Sequence, residues 1–331
     1  MEIPQRLLVV GTSAGGMPVL EQLVAALPAD LPAAVLIVQH FAAVSDGGHL
    51  VRRLARATGL VCHLAADGDL LQPGHLYLAP PDRHLLVTDD RLRVTKGPHE
   101  NGYRPAVDAL FRSAAVHFGP AVVGVVLTGM LHDGTAGLEY IKRCGGLAVV
   151  QDPADAEFPG MPESARRHVA LDYIAPLAEL GPLLRRLLGA PAPLPTAPIP
   201  DDLLREAAIA ERIVGTVAEV AVLGQQVPLT CPDCGGNLWR MDTAHGRVPR
   251  YRCHTGHAHT ADYLLDRSQH NLEESLWVAL RLLEERRTLL TGLAGTGDGT
   301  FSAQQQERIT QLTVHANRLR EFLLHGTGGH D

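Results

Sequence analysis

Ser13 lies in the run Gly11-Thr12-Ser13-Ala14-Gly15-Gly16, which follows an apolar stretch and precedes a helix-like one. A G-x-S-x-G serine in that setting sits on a tight turn with its hydroxyl exposed. Small neighbours admit a substrate carbonyl, and N–H groups near the helix start can stabilise an oxyanion. A hydroxyl attacks an ester or amide only with a base beside it. His40, just past the apolar run 33–38, is the candidate base. Asp133, in Thr128-Gly129-Met130-Leu131-His132-Asp133-Gly134, is the candidate carboxylate that fixes the imidazole tautomer and stabilises the imidazolium. Each residue also has a plainer reading. The glycine-rich turn could hold a phosphate, His40 could be a structural histidine, and Asp133 could cap a helix starting near Thr135. A dinucleotide site fits poorly, because Ser13 stands at the middle glycine of that fingerprint. The triad reading rests on three signals falling on one predicted edge.

That edge belongs to a predicted sheet. Runs 7–11, 33–38, 121–127 and 147–151 are short, apolar and rich in β-branched residues, with helix-like stretches at 17–27, 46–58, 105–117 and 134–144. Apolar strands alternating with helices imply an α/β fold, a doubly wound, mostly parallel sheet covered on both faces. Such a sheet places its ligand-binding loops beyond the carboxyl ends of its strands, where Ser13, His40 and Asp133 all fall. The segment 74–96, with Asp89-Asp90 between alternating runs, predicts an antiparallel hairpin attached to that sheet.

A helix near 176–188 closes a first domain, 1–190, and the Pro/Ala-rich run 191–200 reads as a stiff linker. A helical connector (201–228), a small cysteine-bearing module (229–260) and a helical tail (261–331) follow. Within the tail, Ile309, Leu312, Leu319 and Leu323 form an apolar stripe that suits either a partner or the tail's own packing. The formal net charge of -7 offers no general attraction to nucleic acid or anionic lipid. No secretory signal and no apolar run of membrane-spanning length is evident. The expectation is a cytoplasmic protein with no nucleic-acid partner and no direct membrane insertion.

Cys62 and Cys144 stand alone and read as small core residues. Cys231 and Cys234 form a C-x2-C pair, followed after eighteen residues by Cys253 and, with C-x3-H spacing, His257. Four such ligands fit a closed structural zinc site, in which binding energy becomes folding energy for a segment with little core. His254 and His259 compete with His257 for the fourth place, and His245 is a weaker competitor. A disulfide is disfavoured in the cytosol.

The chain up to about residue 188 resembles the catalytic domain of bacterial chemotaxis protein-glutamate methylesterases, the CheB type. The resemblance is carried by Ser13-Ala14-Gly15-Gly16, Gln39-His40, Pro73-Gly74-His75 with Tyr77-Leu78-Ala79-Pro80, Arg104-Pro105-Ala106-Val107-Asp108-Ala109-Leu110-Phe111, Thr128 to Gly134, and Gly160-Met161-Pro162. It implies hydrolysis of glutamyl methyl esters on the cytoplasmic helices of chemoreceptors, often with deamidation of particular glutamines, and no catalytic cofactor. Carried over, Ser13 attacks, His40 takes its proton and Asp133 orients His40. The backbone at Met130, with Ala14, Gly15 and Gly16, holds the oxyanion and substrate, and Arg104 lines the cleft. Two departures stand out. Ala14 occupies a position where well-known members carry threonine, and, with the catalytic strand starting so near the first residue of the sequence, the expectation is a chain without a preceding receiver domain. Control is then expected to be absent, supplied by a partner, or routed through the C-terminal half, whose helices after residue 260 could form a dimer, clasp the cleft or hold a receptor methyltransferase.

The pattern CPDCGGxLW followed by YRCHTGH also resembles a small zinc module on some methylesterase-like proteins. Two alternatives compete with the esterase. A patatin-like lipase shares the G-T-S-A-G run but leaves Gln39-His40 unexplained. A weakly active scaffold or adaptor is the reading from another class.

Overall fold

The computed structural model describes residues 4–41, 46–195, 198–212, 216–241, 249–294 and 302–325. The chain forms two compact units, Met1–Tyr263 and Leu264–Asp331.

Among the described residues, the N-terminal part of the first unit is built on nine strands and six α-helices. The strands are β1 (Arg6–Thr12), β2 (Ala33–Gln39), β3 (Val61–Leu64), β4 (His75–Leu78), β5 (His84–Val87), β6 (Leu92–Thr95), β7 (Val122–Val126), β8 (Leu147–Gln151) and β9 (Tyr173–Ala175). The helices are α1 (Gly16–Ala25), α2 (Gly47–Ala57), α3 (Val107–Phe118), α4 (Thr135–Arg143), α5 (Gly160–His168) and α6 (Leu177–Gly189). Seven strands make one parallel sheet in the order β3-β4-β2-β1-β7-β8-β9. The chain leaves β1 toward β2 on one side and returns to pair β7 on the other, so β1 lies at the switch point where such sheets bind ligands.

β1 reads as an unbroken apolar run because both its faces are covered. Leu7 and Val9 pack with Leu110 and Phe111 of α3 and Leu138 of α4. Leu8 and Val10 pack with Leu20 and Leu23 of α1 and Leu180 and Leu184 of α6. Each such side chain, fully buried, contributes about 1.5–3 kcal/mol, and this two-sided core holds the carboxyl edge of the sheet in place.

The expected hairpin is present as β5–β6, turning at Asp89-Asp90. It forms its own two-stranded sheet instead of joining the main one. It is tied to α3, where the Val87 N–H donates to Ser113 Oγ at 3.0 Å. The preceding run, His75–Leu78, pairs in parallel between β2 and β3.

The rest of the first unit contains α7 (Asp201–Arg212), α8 (Val217–Leu223) and four antiparallel strands: β10 (Gly224–Thr230), β11 (Asn237–Met241), β12 (Arg250–Cys253) and β13 (Ala258–Thr260). Thr216 and Glu219 close a capping box on α8. The apolar core here is small: Ile209, Val220, Leu223, Trp239 and Met241. Ionic contacts do much of the joining. Arg250, on β12, donates to Glu206 of α7 at 2.7 Å and lies over the Tyr140 ring of α4. Arg252, 1% exposed, reaches Glu100 at 3.6 Å, and Glu100 also accepts from Arg112 of α3. The ribbon is therefore keyed into the sheet domain by two buried arginines.

α9 (Ala261–Ala294) leads into the second unit, which also contains α10 (Ala303–His325). Leu280, Ala316 and Leu323 form its core, with Leu276, Leu283 and Leu319 packed against them. Part of the tail's apolar stripe is thus covered by the tail itself. Among the described residues, no helix is long and apolar enough to cross a membrane.

Candidate active site

Ser13 follows β1 directly, and its turn closes at Gly15 in the left-handed region, with φ 70°. A Cβ there would meet Glu157 at 2.8 Å as well as being strained. Ser13 itself is half-buried and is not among the left-handed residues. The loop after β7 comes up against it. The Ser13 N–H donates to Thr128 O at 3.1 Å, and Thr12 Oγ1 donates to the same carbonyl at 2.7 Å. A Cβ on Gly129 would lie 2.9 Å from Ser13 Cβ and would also strike Met161, so only glycine permits this approach. Gln39 Nε2 donates to the carbonyls of Ser13 and His40, both at 2.8 Å, and fastens the two loops.

His40 stands one rung past the β1–β2 register, its N–H donating to Thr12 O at 3.0 Å. Ser13 and His40 are thus neighbours across adjacent strand ends. Nε2 of His40 lies 2.9 Å from Asp133 Oδ2. An ionised carboxylate can only accept, so Nε2 carries the proton. Nδ1 is buried without a partner, and no hydrogen bond joins it to Ser13 Oγ here. The ring stacks on Tyr103, with centroids 3.8 Å apart and planes 8° from parallel. Burial, followed by the nearby Asp133 charge, pushes the Tyr103 hydroxyl up from its ordinary pKa.

Asp133 is 1% exposed and does cap a helix, but not the one beginning near Thr135. Its carboxylate accepts from the Val107 N–H at 2.6 Å and the Asp108 N–H at 3.1 Å, the first two of α3, and from its neighbour Gly134 at 3.1 Å. Asp108 returns the arrangement, accepting from Gly134 N–H at 2.9 Å and Gly137 N–H at 2.6 Å at the start of α4. Each helix start favours an anion. Burial and the proximity of Asp133 nevertheless push the Asp108 carboxyl well above the usual range.

The flanking backbone suits an oxyanion. Among the described residues, neither the Ala14 nor the Met130 N–H donates to a protein acceptor. One follows Ser13 in the chain, and the other follows the glycine that touches it. Gly16 is buried between Thr12 and Gln39. The Arg104 guanidinium is engaged, with Nε donating to Asp82 Oδ1 and Nη1 to Gly97 O, both at 2.8 Å.

Three contributors escaped the sequence reading. Tyr103 backs the imidazole, and Asp108 locks the two helix starts. Asn101, left-handed at φ 49°, donates from Nδ2 to Asp108 Oδ2 at 2.9 Å and, more weakly, to Asp133 Oδ1 at 3.5 Å. The only local hint was the Asn101-Gly102 pair, an ordinary turn signal.

The second cluster lies on the ribbon. The ligand atoms of Cys231, Cys234, Cys253 and His257 all lie within 4.8 Å of one another. Cys234 Sγ and Cys253 Sγ are 3.8 Å apart, and Cys253 Sγ and His257 Nδ1 are 3.4 Å apart. Tetrahedral zinc with bonds of about 2.3 Å to sulfur needs sulfurs about 3.8 Å apart, so the donor set fits. His259 lies behind the group, with Nε2 3.4 Å from Cys231 Sγ, and can form a second group with Cys231 and Asp233. His254 belongs to neither group. His245 falls outside the described residues.

A doubly wound parallel sheet carrying serine, histidine and aspartate on the loops of one carboxyl edge marks a class of α/β proteins to which the family comparison gives a name. The chain belongs to the CheB methylesterase family, whose model matches residues 8–184. It is similar to "Protein-glutamate methylesterase/protein-glutamine glutaminase 5" of Anaeromyxobacter dehalogenans, with 42% identity over 191 residues, covering 56% of this chain and 52% of that one. A Methanosarcina mazei relative, the second protein-glutamate methylesterase/protein-glutamine glutaminase of that organism, is 38% identical over 185 residues, 53% of this chain and 50% of its own. The chain thus spans about half the length of these curated relatives. The crystal structure of the Thermotoga maritima CheB methylesterase catalytic domain aligns with a TM-score of 0.52 at 32% identity, covering 55% of this chain and 98% of that domain.

Proposed function

We propose that this chain is a protein-glutamate methylesterase that hydrolyses glutamyl methyl esters on the cytoplasmic helices of chemoreceptors. The observation that carries the reading is the His40–Asp133 pair, with Nε2 bound to the carboxylate and Nδ1 left without a partner one rung from Ser13. Ser13 Oγ attacks the ester carbonyl while its proton passes to Nδ1, and the Asp133 carboxylate stabilises the imidazolium. The Ala14 and Met130 N–H groups hold the oxyanion, and Gly15 and Gly16 keep the turn open to the substrate. As the intermediate collapses, the Nδ1 proton goes to the departing methoxide and methanol leaves. Water then gives its proton to Nδ1 and attacks the acyl-serine. As that second intermediate collapses, the Nδ1 proton passes to the departing Ser13 Oγ, and the glutamic acid formed gives its proton to solvent. A glutamine side chain would follow the same course with ammonia leaving, as the names of the relatives suggest. Arg104, fixed to Asp82, would shape the cleft wall instead of binding ester directly.

On this reading, residues 1–190 are the catalytic domain, 191–200 a linker, 201–228 a connector, 229–260 a zinc-binding ribbon and 261–331 a tail for a signalling partner, all in the cytoplasm. The ribbon's ion would be structural, because four protein ligands leave no open position.

The test is methanol release from methylated receptor fragments. Ser13→Ala should lower turnover at least about a thousandfold while changing stability by less than about 0.5 kcal/mol. Turnover that survives the substitution would remove Ser13 from the chemistry. No release by a folded wild type would favour an adaptor, or an ester of another kind.

A further inference from the structure

The side chain of Asn101 links the ribbon to the acids behind His40. β13 runs Ala258-His259-Thr260, and both residues flanking His259 bind Asn101. The Asn101 N–H donates to Ala258 O at 2.8 Å, and the Thr260 N–H donates to Asn101 Oδ1 at 2.9 Å. With Oδ1 occupied as an acceptor, Nδ2 is turned toward the acids, donating to Asp108 at 2.9 Å and approaching Asp133 at 3.5 Å. His259, between the two β13 contacts, lies 3.4 Å from Cys231 Sγ of the candidate metal group. Two residues beyond Asn101, Tyr103 stacks on His40. The short turn carrying both is closed by paired hydrogen bonds between Glu100 and Tyr103, at 3.2 and 2.9 Å. Glu100 is in turn bridged to Ala258 of the ribbon. The turn thus has one side on the ribbon and the other on the imidazole and its carboxylate.

We propose that Asn101 is a positioning residue for the His40–Asp133 pair, and that metal binding by Cys231, Cys234, Cys253 and His257 sets how well it positions. Ligation fixes β13, β13 orients the Asn101 amide and its turn, and the turn holds Tyr103 against His40 and a donor against the acids. Without metal, β13 is left with its pairing to β12, because the apolar cluster of Ile209, Val220, Leu223, Trp239 and Met241 includes no residue of β12 or β13, and the turn loses the partners that define it. The metal never meets the substrate. It acts on the order of the pair, and this effect rests on the esterase reading given above.

The experiment compares the full chain loaded with Zn2+ and stripped by a chelator, in wild type, Asn101→Gly and Asn101→Asp. Glycine accepts the left-handed backbone but removes the amide. Aspartate keeps the acceptor for Thr260 and replaces the donor with a third carboxyl group. Three readouts are used: hydrogen exchange of the segment 99–106, the low-field proton resonance of the His40–Asp133 hydrogen bond, and kcat and KM for methanol release. Stripping the wild type should speed exchange, weaken the resonance and lower kcat about 10- to 100-fold, as loss of an outer partner does. KM should stay within about twofold. Both variants, loaded with Zn2+, should show the lowered kcat and weakened resonance, and stripping should add little to either loss.

Unchanged exchange and resonance in wild type whose zinc content has fallen would overturn the coupling. Variants with normal resonance and kcat would overturn the role of Asn101. If no protein releases methanol, the esterase reading fails, while exchange and resonance still decide the coupling.

Discussion

The serine edge and the cysteine ribbon both gather side chains from distant points in the chain, but on unlike foundations. Ser13, His40 and Asp133 follow strands buried on both faces, and dozens of apolar side chains fix the separation of those strand ends before any polar group is considered. Among the described residues, the ribbon strands bury Leu238, Trp239 and Met241, the last two packed on Ile209, Val220 and Leu223 of α7 and α8, beside two buried arginines and four metal-ligand candidates. On the sheet, geometry comes from the core, and polar contacts refine it. In the ribbon, charged groups and ligands must themselves supply the order.

The largest effect should come from the ribbon's ligands. Structural zinc in small modules is worth about 10–16 kcal/mol of apparent binding energy. Cys253→Ala should therefore lose bound zinc and open residues 224–260 to limited proteolysis, while the far-UV signal of the parallel sheet persists. A ribbon that stays protease-resistant without zinc would mean that its small core and arginines suffice, and the contrast would collapse.

A smaller effect is expected at the ionic seam. Glu100→Gln leaves Arg112 and Arg252 buried without their carboxylate, which should cost about 3–5 kcal/mol in a denaturant titration. The same pair predicts a pH dependence. Burial would raise the Glu100 pKa, but Arg112 and Arg252 outweigh it and hold the group at about 2, below the ordinary 4.5. The unfolded chain thus takes up the proton first. The contribution, about 3 kcal/mol, is complete above pH 4.5 and fades as the pH falls toward 2. Wild type should lose this acid-sensitive share of stability, and Glu100→Gln should not. The smallest effect belongs to Ala14→Thr on the serine edge. It should move stability by less than about 0.5 kcal/mol and kcat by less than about tenfold, because the surrounding strands already set the site.

The same contrast governs what could be read from the sequence. β1, β2, β7 and β8 announce themselves as apolar runs, and the parallel sheet they imply places Ser13 and His40 at one edge without further information. The cysteine spacing likewise brings the four predicted ligand atoms together. β3 and β9 were missed because four half-exposed residues and three residues carry too little pattern. The plainer alternative for Asp133, a cap on the helix just after it, looked along the chain as capping rules do, whereas its helix N–H donors lie 25 and 26 residues away. Asn101 was invisible for the same reason, its ribbon partner Thr260 being 159 residues distant. Nothing in the local sequence marks Arg250 and Arg252 as buried. Only the fold shows the buried acids that receive them.

The crossed caps of Asp133 and Asp108 limit how this edge can change over evolutionary time. Replacing the acid behind His40 is not a local edit, because the first turn of α3 loses its anion in the same step. Replacing Asp108 strips the start of α4. The acid is therefore inherited together with two helix starts, and selection on either property preserves the other. The Met130 side chain, 55% exposed on the loop before Asp133, caps neither helix, so it can change without disturbing either start.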